Sequence, residues 1–140
     1  MAGAKPTIER PLSPHLTVYR PQINMVMSIV HRITGGALYF GTLLLAAWLV
    51  SAAIGEQAYN WVSSLFAHPL GLLVLFGYSW ALLHHMLGGL RHLIWDTGRA
   101  FDIKSVNMIS WLTILGSVVL TALVWAVALS VRGVTLQDLL

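Results

Sequence analysis

The chain has 140 residues, of which 57% are hydrophobic and only 9% charged, far below the roughly 25% charge of ordinary soluble domains. This composition fits a single-domain membrane protein and excludes a water-soluble globule of this length. The lack of cysteine excludes disulfides, thiolate metal centres and heme attached through cysteine, and the net charge of +3 lies beside apolar segments, as membrane orientation requires, rather than forming a nucleic-acid patch.

Residues 1–26 are expected to form an amino-terminal arm. Pro6, Pro11, Pro14 and Pro21 prevent a long helix and favour extended or turn structure. The segment has no apolar run able to serve as a secretory signal core. Leu12, Leu16, Val18 and Tyr19 suit a strap lying on a partner better than a solvated tail.

The first membrane span is expected at about 27–54, with its apolar body over 33–50, since about 20 apolar residues cross a bilayer. Ser28, His31, Arg32, Gly35 and Tyr39 share one broad face by helical spacing. The serine, histidine and arginine offer several donors to a carbonyl or carboxylate. Arg32 near a helix end reads equally as an anchor snorkelling to the headgroups. Gly35 and Gly36 remove bulk where another helix or a flat ligand approaches, and close helix packing is the commoner reason.

Gly55–Ser64 reads as a short polar loop with interfacial Tyr59 and Trp61, and a second span is expected over about 64–95. Its inner end, HHMLGGLRHLIWD at 84–96, is the most informative stretch. Spacings of three, four and seven return to one helical face, so His85, Gly88, Gly89, His92 and Asp96 form a stripe, while His84 and Arg91 form a second one. His85 lies about 16 Å along the helix from Asp96, too deep to snorkel. Neutral imidazole there suits axial ligation of heme iron, a proton path or a hydrogen bond between helices. His92 lies two turns away on the same helix and cannot bind the opposite face of the same ring. A second ligand to a heme is therefore expected from another protein. His15 and His68 read as surface or interface residues.

A polar connection follows Asp96, and the third span, over about 109–131, carries no charge. Ser110, Thr113, Ser117 and Thr121 are spaced for helix contacts, and residues 132–140 form a tail. Lys5, Arg10, Arg20, Arg32, Arg91, Arg99 and Lys104 flank one end of the spans, against Arg132 at the other. The positive-inside rule then puts the amino terminus on the cytoplasmic or matrix side. The Ser28/His31/Arg32 group and the His85/His92/Asp96 stripe are expected to meet at comparable depth. The fold class read from the sequence is an all-α integral membrane protein with three transmembrane helices.

Three segments, RPLSPHLTVYR at 10–20, SIVHRITGGAL at 28–38 and HHMLGGLRHLIWD at 84–96, resemble the cytochrome b membrane-anchor subunits of succinate dehydrogenase (respiratory complex II). The resemblance covers nearly the whole chain. It implies a subunit of a succinate:quinone oxidoreductase that does not itself oxidise succinate. His85 would be the axial ligand of heme b, with His31, Arg32 and His92 near the heme propionates, and Ser28, Arg32 and Asp96 at a ubiquinone pocket. A second anchor subunit would supply the other heme ligand, and electrons would arrive from an iron–sulfur subunit and a flavoprotein. Mitochondrial members carry a tryptophan shortly after the strap tyrosine, where this chain has Pro21. Without a transit peptide, the expected location is a bacterial inner membrane, with a mitochondrial inner membrane as the alternative. A small transporter using His85, His92 and Asp96 as a proton path, or a purely structural anchor, are the competing readings.

Overall fold

The computed structural model describes Pro11 and residues 13–131. Lys5, Pro6, Arg10, Leu12, Arg132 and the tail 132–140 lie outside the described residues, as do the side chains of His15 and Leu16. Among the described residues the structure is entirely helical: α1 (His15–Val18), α2 (Ile23–Ile54), α3 (Glu56–Ala67), α4 (Pro69–Asp96) and α5 (Ile103–Val131). The helices α2, α4 and α5 are long and apolar enough to cross a membrane.

The prolines shape the described part of the arm as expected. The four-residue α1 is held by the Thr17 hydroxyl donating to the Pro14 carbonyl at 3.0 Å, and Thr17–Gln22 are all exposed. Helix α2 starts at Ile23, just after Pro21, and runs 32 residues to Ile54, about 48 Å at a 1.5 Å rise. It ends at Gly55, whose φ of 140° lies where side chains are disfavoured.

The stretch read as a polar loop is instead helix α3. Glu56 in its first turn complements the helix dipole. Its half-buried Ala58, Val62, Ser63 and Phe66 recur at helical spacing, and it packs on α2 and α4. A helix whose buried stripe contains alanine and serine resembles a loop by composition alone. Helix α4 therefore starts five residues later than expected, at Pro69 in its first turn, where the His68 side chain accepts from the Leu70 N–H at 3.3 Å. His68 is exposed, as expected.

Helix α4 ends in a tight exit. Thr97 N–H donates to Ile94 and Gly98, at φ 76°, donates to the Trp95 carbonyl at 2.8 Å. Ala100 is held at φ 60°, a strained conformation for a residue with a Cβ that costs on the order of 1 kcal/mol. The Trp95 indole N–H secures it by donating to the Ala100 carbonyl at 3.2 Å. Helix α5 then begins six residues earlier than expected, because Asp102 caps it: its carboxylate accepts from the Ser105 N–H at 2.9 Å.

That cap makes a prediction about pH. Hydrogen bonds from Ser105 hold the exposed Asp102 carboxyl below its usual 3.8. A depressed folded value means the cap contributes fully above the ordinary carboxylate range and is lost as pH falls through the lower folded value. Asp102→Ala should raise the Ser105 amide exchange rate several-fold at neutral pH, as expected when an N-cap bond is lost. The increase should vanish at a pH low enough to protonate the wild-type cap.

Helix α4 lies between its neighbours, packing most extensively on α5 and α2. The interior they share is polar. Among the described residues only Met27 and Ala81 are buried apolar side chains, against Thr34, Ser51, His84, Arg91, Ser110, Thr113, Ser117 and Thr121. The outer surface is leucine, isoleucine, valine and aromatic. This inside-out arrangement suits helices whose surroundings are lipid.

Candidate functional site

The site forms where the first half of α2 meets the second half of α4. One turn of α2 supplies His31, Thr34 and Gly35, and α4 supplies His85, Gly88 and His92, three and four residues apart. The expectation that the two groups lie at comparable depth holds for the histidines. The His31 and His85 rings stack with centroids 3.9 Å apart and planes 15° from parallel. His92 meets His31 edge-on at 5.2 Å.

Two glycines permit this contact. A Cβ on Gly35 would come within 3.0 Å of His85 Cε1, and a Cβ on Gly88 would overlap the His31 ring at Cδ2. The space beside Gly88 is therefore filled by His31. Gly36 and Gly89, next along each helix, border open space, where a Cβ meets nothing within 4 Å.

The environment of His85 fixes its chemistry. Its Nδ1 lies 3.1 Å from the His31 carbonyl oxygen and 3.3 Å from the Thr34 hydroxyl. A carbonyl only accepts, so Nδ1 carries the proton and Nε2 keeps the free lone pair. Thr34, buried at 2% exposure, is itself fixed by contacts of 2.9 and 3.0 Å to the Val30 and His31 carbonyls. An imidazole whose Nδ1–H is held by a backbone carbonyl and whose Nε2 is free is the usual form of a metal-ligating histidine. Together with the open strip beside Gly89, this donor set fits an iron porphyrin bound from outside the chain.

His84 is placed differently. It is 1% exposed, lies beside Trp80, and its Nδ1 bonds Ser117 on α5 at 3.1 Å. Ser117 donates to its own Ile114 carbonyl at 2.8 Å, so it accepts from His84, whose Nε2 is buried without a partner. His84 thus anchors α4 to α5 and faces away from α2.

Arg91, one of the flanking basic residues in the sequence, is 2% exposed. Its guanidinium lies 4.9 Å over the Trp95 ring and 3.5 Å from the Ser110 hydroxyl, and its Nε has no partner. The second stripe, His84 and Arg91, is therefore the seam with α5, where Ser110 and Ser117 receive it. Sequence reading gave His84 no role. The signal was its seven-residue spacing to Arg91, matched by that of Ser110 and Ser117.

Of the remaining expected site residues, Ser28 is half-buried, while Arg32, His92 and Asp96 are exposed on the surface of the chain. His31 Nε2 is buried without a partner. The site is thus a layered set of imidazoles inside the chain, flanked by a surface bearing an arginine, a histidine and a carboxylate.

Residues 6–124 match the family described as succinate dehydrogenase/fumarate reductase transmembrane subunit. The chain is 42% identical over 117 residues to the succinate dehydrogenase cytochrome b556 subunit of Rickettsia prowazekii (strain Madrid E), covering 84% of this chain and 91% of that one. It is 44% identical over 114 residues to the cytochrome b556 subunit of Paracoccus denitrificans, covering 81% and 88%. It is 41% identical over 121 residues to the mitochondrial cytochrome b560 subunit of Sus scrofa, covering 81% and 71%.

Proposed function

Because the chain belongs to the succinate dehydrogenase/fumarate reductase transmembrane subunit family, we propose that it anchors a succinate:quinone oxidoreductase in the membrane, holds heme b through His85 and forms part of the ubiquinone-reduction site. The observation that carries the heme assignment is the Nδ1 contact of His85 to the His31 carbonyl, which leaves Nε2 as the donor. Bound there, heme b supplies a one-electron carrier within the membrane.

His31, Arg32 and His92 lie on the two helices that would flank the heme and are the residues proposed for its propionates. The planar Arg32 guanidinium presents a fork of donors that suits a carboxylate. A second ligand to the heme iron would come from a second anchor subunit, since His92, two turns from His85 on the same helix, cannot reach the opposite face of the ring. Electrons reach the anchor from a flavoprotein through an iron–sulfur subunit, and the exposed Val18 and Tyr19 of the arm suit packing against that soluble partner.

At the quinone, the Ser28 hydroxyl and the Arg32 guanidinium donate hydrogen bonds to a carbonyl oxygen, stabilising negative charge as it develops on reduction. Asp96, exposed at the end of α4, relays protons to that oxygen. The excess of basic residues at this end supports a cytoplasmic or matrix face for it. The bacterial relatives favour a bacterial inner membrane. The domain division is an inner-face arm over 1–26, the anchor over 27–131 and a tail on the opposite face.

The test is a dithionite-reduced minus oxidised absorption spectrum of the complex purified through a tag on this chain, with a His85→Leu variant alongside. The b-type signal should be present in the wild type and lost or shifted in an assembled His85→Leu complex. An unchanged spectrum in that variant overturns the assignment.

A further inference from the structure

At the end of the bundle away from His31, His85 and His92, α2, α3 and α4 enclose a cavity of about 340 Å³, at the lower end of the range for ligand pockets. Its walls include Leu44, Leu45 and Trp48 of α2, Tyr59 and Ser63 of α3, and Tyr78 of α4. No charged side chain lines it. Leu44, Leu45, Trp48 and Tyr59 are each 37–48% exposed, so the cavity opens sideways onto the apolar flank of the bundle. One polar group stands out: the Ser63 hydroxyl is buried and has no hydrogen-bond partner among the described residues, unlike Ser64 beside it, which donates to the Trp61 carbonyl at 2.7 Å.

We propose that this cavity holds one acyl chain of a phospholipid, with the glycerol-ester carbonyl accepting a hydrogen bond from Ser63. A molecule entering from the flank of a membrane span comes from the lipid phase, and an uncharged wall selects its hydrocarbon part. The Ser63 hydroxyl selects among lipids, because an ester carbonyl gives it an acceptor and an isoprenoid tail carries none. A buried hydroxyl without an acceptor is destabilising, so a lipid that supplies the acceptor is retained over one that does not. Trp48 and Tyr59, with ring centroids 6.1 Å apart, are the residue types enriched at the depth of the headgroups and esters. Helix α3 provides Tyr59, Ser63, Phe66 and Ala67 to the wall, which gives this short helix a binding role.

The assembled complex, reconstituted in vesicles of phosphatidylethanolamine carrying a diazirine on one acyl chain, tests the proposal without reference to heme or quinone. After illumination, label should be concentrated in the peptides containing 41–48 and 59–66, over those of the lipid-facing side of α5. Leu45→Trp, which fills the cavity from a half-exposed position, should remove that excess. Ser63→Ala should lower it by about fivefold, the equivalent of one net hydrogen bond of ~1 kcal/mol, and this variant carries the test alone if Leu45→Trp fails to assemble. Uniform labelling of all lipid-facing peptides overturns the proposal. So does an excess that Ser63→Ala leaves unchanged, or stronger labelling of the same peptides by a diazirine-bearing isoprenoid.

Discussion

Gly88→Val should abolish the b-type signal of the complex and markedly lower the yield of assembled protein. Residue 88 is buried, and a Cβ there would overlap the His31 ring. His31 cannot yield without leaving its 3.9 Å stack on His85, and its carbonyl is the acceptor that sets the His85 tautomer. The alternative is for α2 and α4 to move apart, which breaks the same contact. Overpacking of this kind costs about 1–3 kcal/mol, and here the cost falls on the residues that present Nε2. Gly89→Val is the control, since its Cβ meets nothing within this chain. It should leave the assembly of α2 and α4 intact and disturb only what binds outside them. Heme content per complex and the fraction of protein in the assembled peak separate the two variants. Equal behaviour of both would overturn this account of Gly88.

Ser117→Leu should lower stability in detergent by about 3 kcal/mol, through overpacking and the loss of a buried partner acting together. Ser117 has no exposed surface, so three added carbons have nowhere to go. The substitution also leaves the buried His84 ring without its one hydrogen bond. Ser117→Ala removes only the hydroxyl and should cost about 0.6 kcal/mol, the average for such bonds between membrane helices, and at most about 1.7 kcal/mol. Unfolding by increasing fractions of denaturing detergent reads both. The spectrum of Ser117→Leu should change as well, because neighbouring residues on a helix are about 100° apart. Anchoring His84 against α5 turns His85 towards α2, so His84 acts as a positioning residue for the proposed ligand. A fully stable Ser117→Leu complex would show that the α4–α5 seam does not set that rotation.

The three spans and the small polar ladder of α5 were legible in the sequence because each is periodic, and charge placement put the His31 and His85 groups at comparable depth, while the stacking of those two rings was not legible. Ser110, Thr113, Ser117 and Thr121 read as helix contacts, and all four are buried. Helix α3 was hidden because the exposed polar residues Glu56, Gln57, Asn60 and Ser64 are interleaved with its half-buried stripe, so the segment matched a loop by content while matching a helix by spacing. Its end signals, Gly55 before and Pro69 after, were present in the sequence. The early start of α5 rests on one cap, Asp102, lodged in a stretch otherwise read as connection. The burial of Arg91 could not be read from its position near a helix end, which fits a snorkelling cation equally well. It depends on Trp95 and Ser110 lying within reach on two helices. The exposure of Arg32 and Asp96 likewise depends on helix rotation, which spacing within one helix leaves open.

The polar interior has a thermal consequence. In a water-soluble domain, unfolding hydrates apolar surface, which gives a large positive heat capacity change and a temperature of greatest stability. Here the leucine, valine and aromatic surface already faces outward. Separating the helices within lipid would expose chiefly serine and threonine hydroxyls, most of which are already bonded to their own helix, as Thr113 and Thr121 are to Ile109 and Ser117. Little apolar hydration accompanies that step, so its heat capacity change is small and its stability curve nearly flat. Cooling, which weakens the hydrophobic core of a soluble protein, has little purchase on this one.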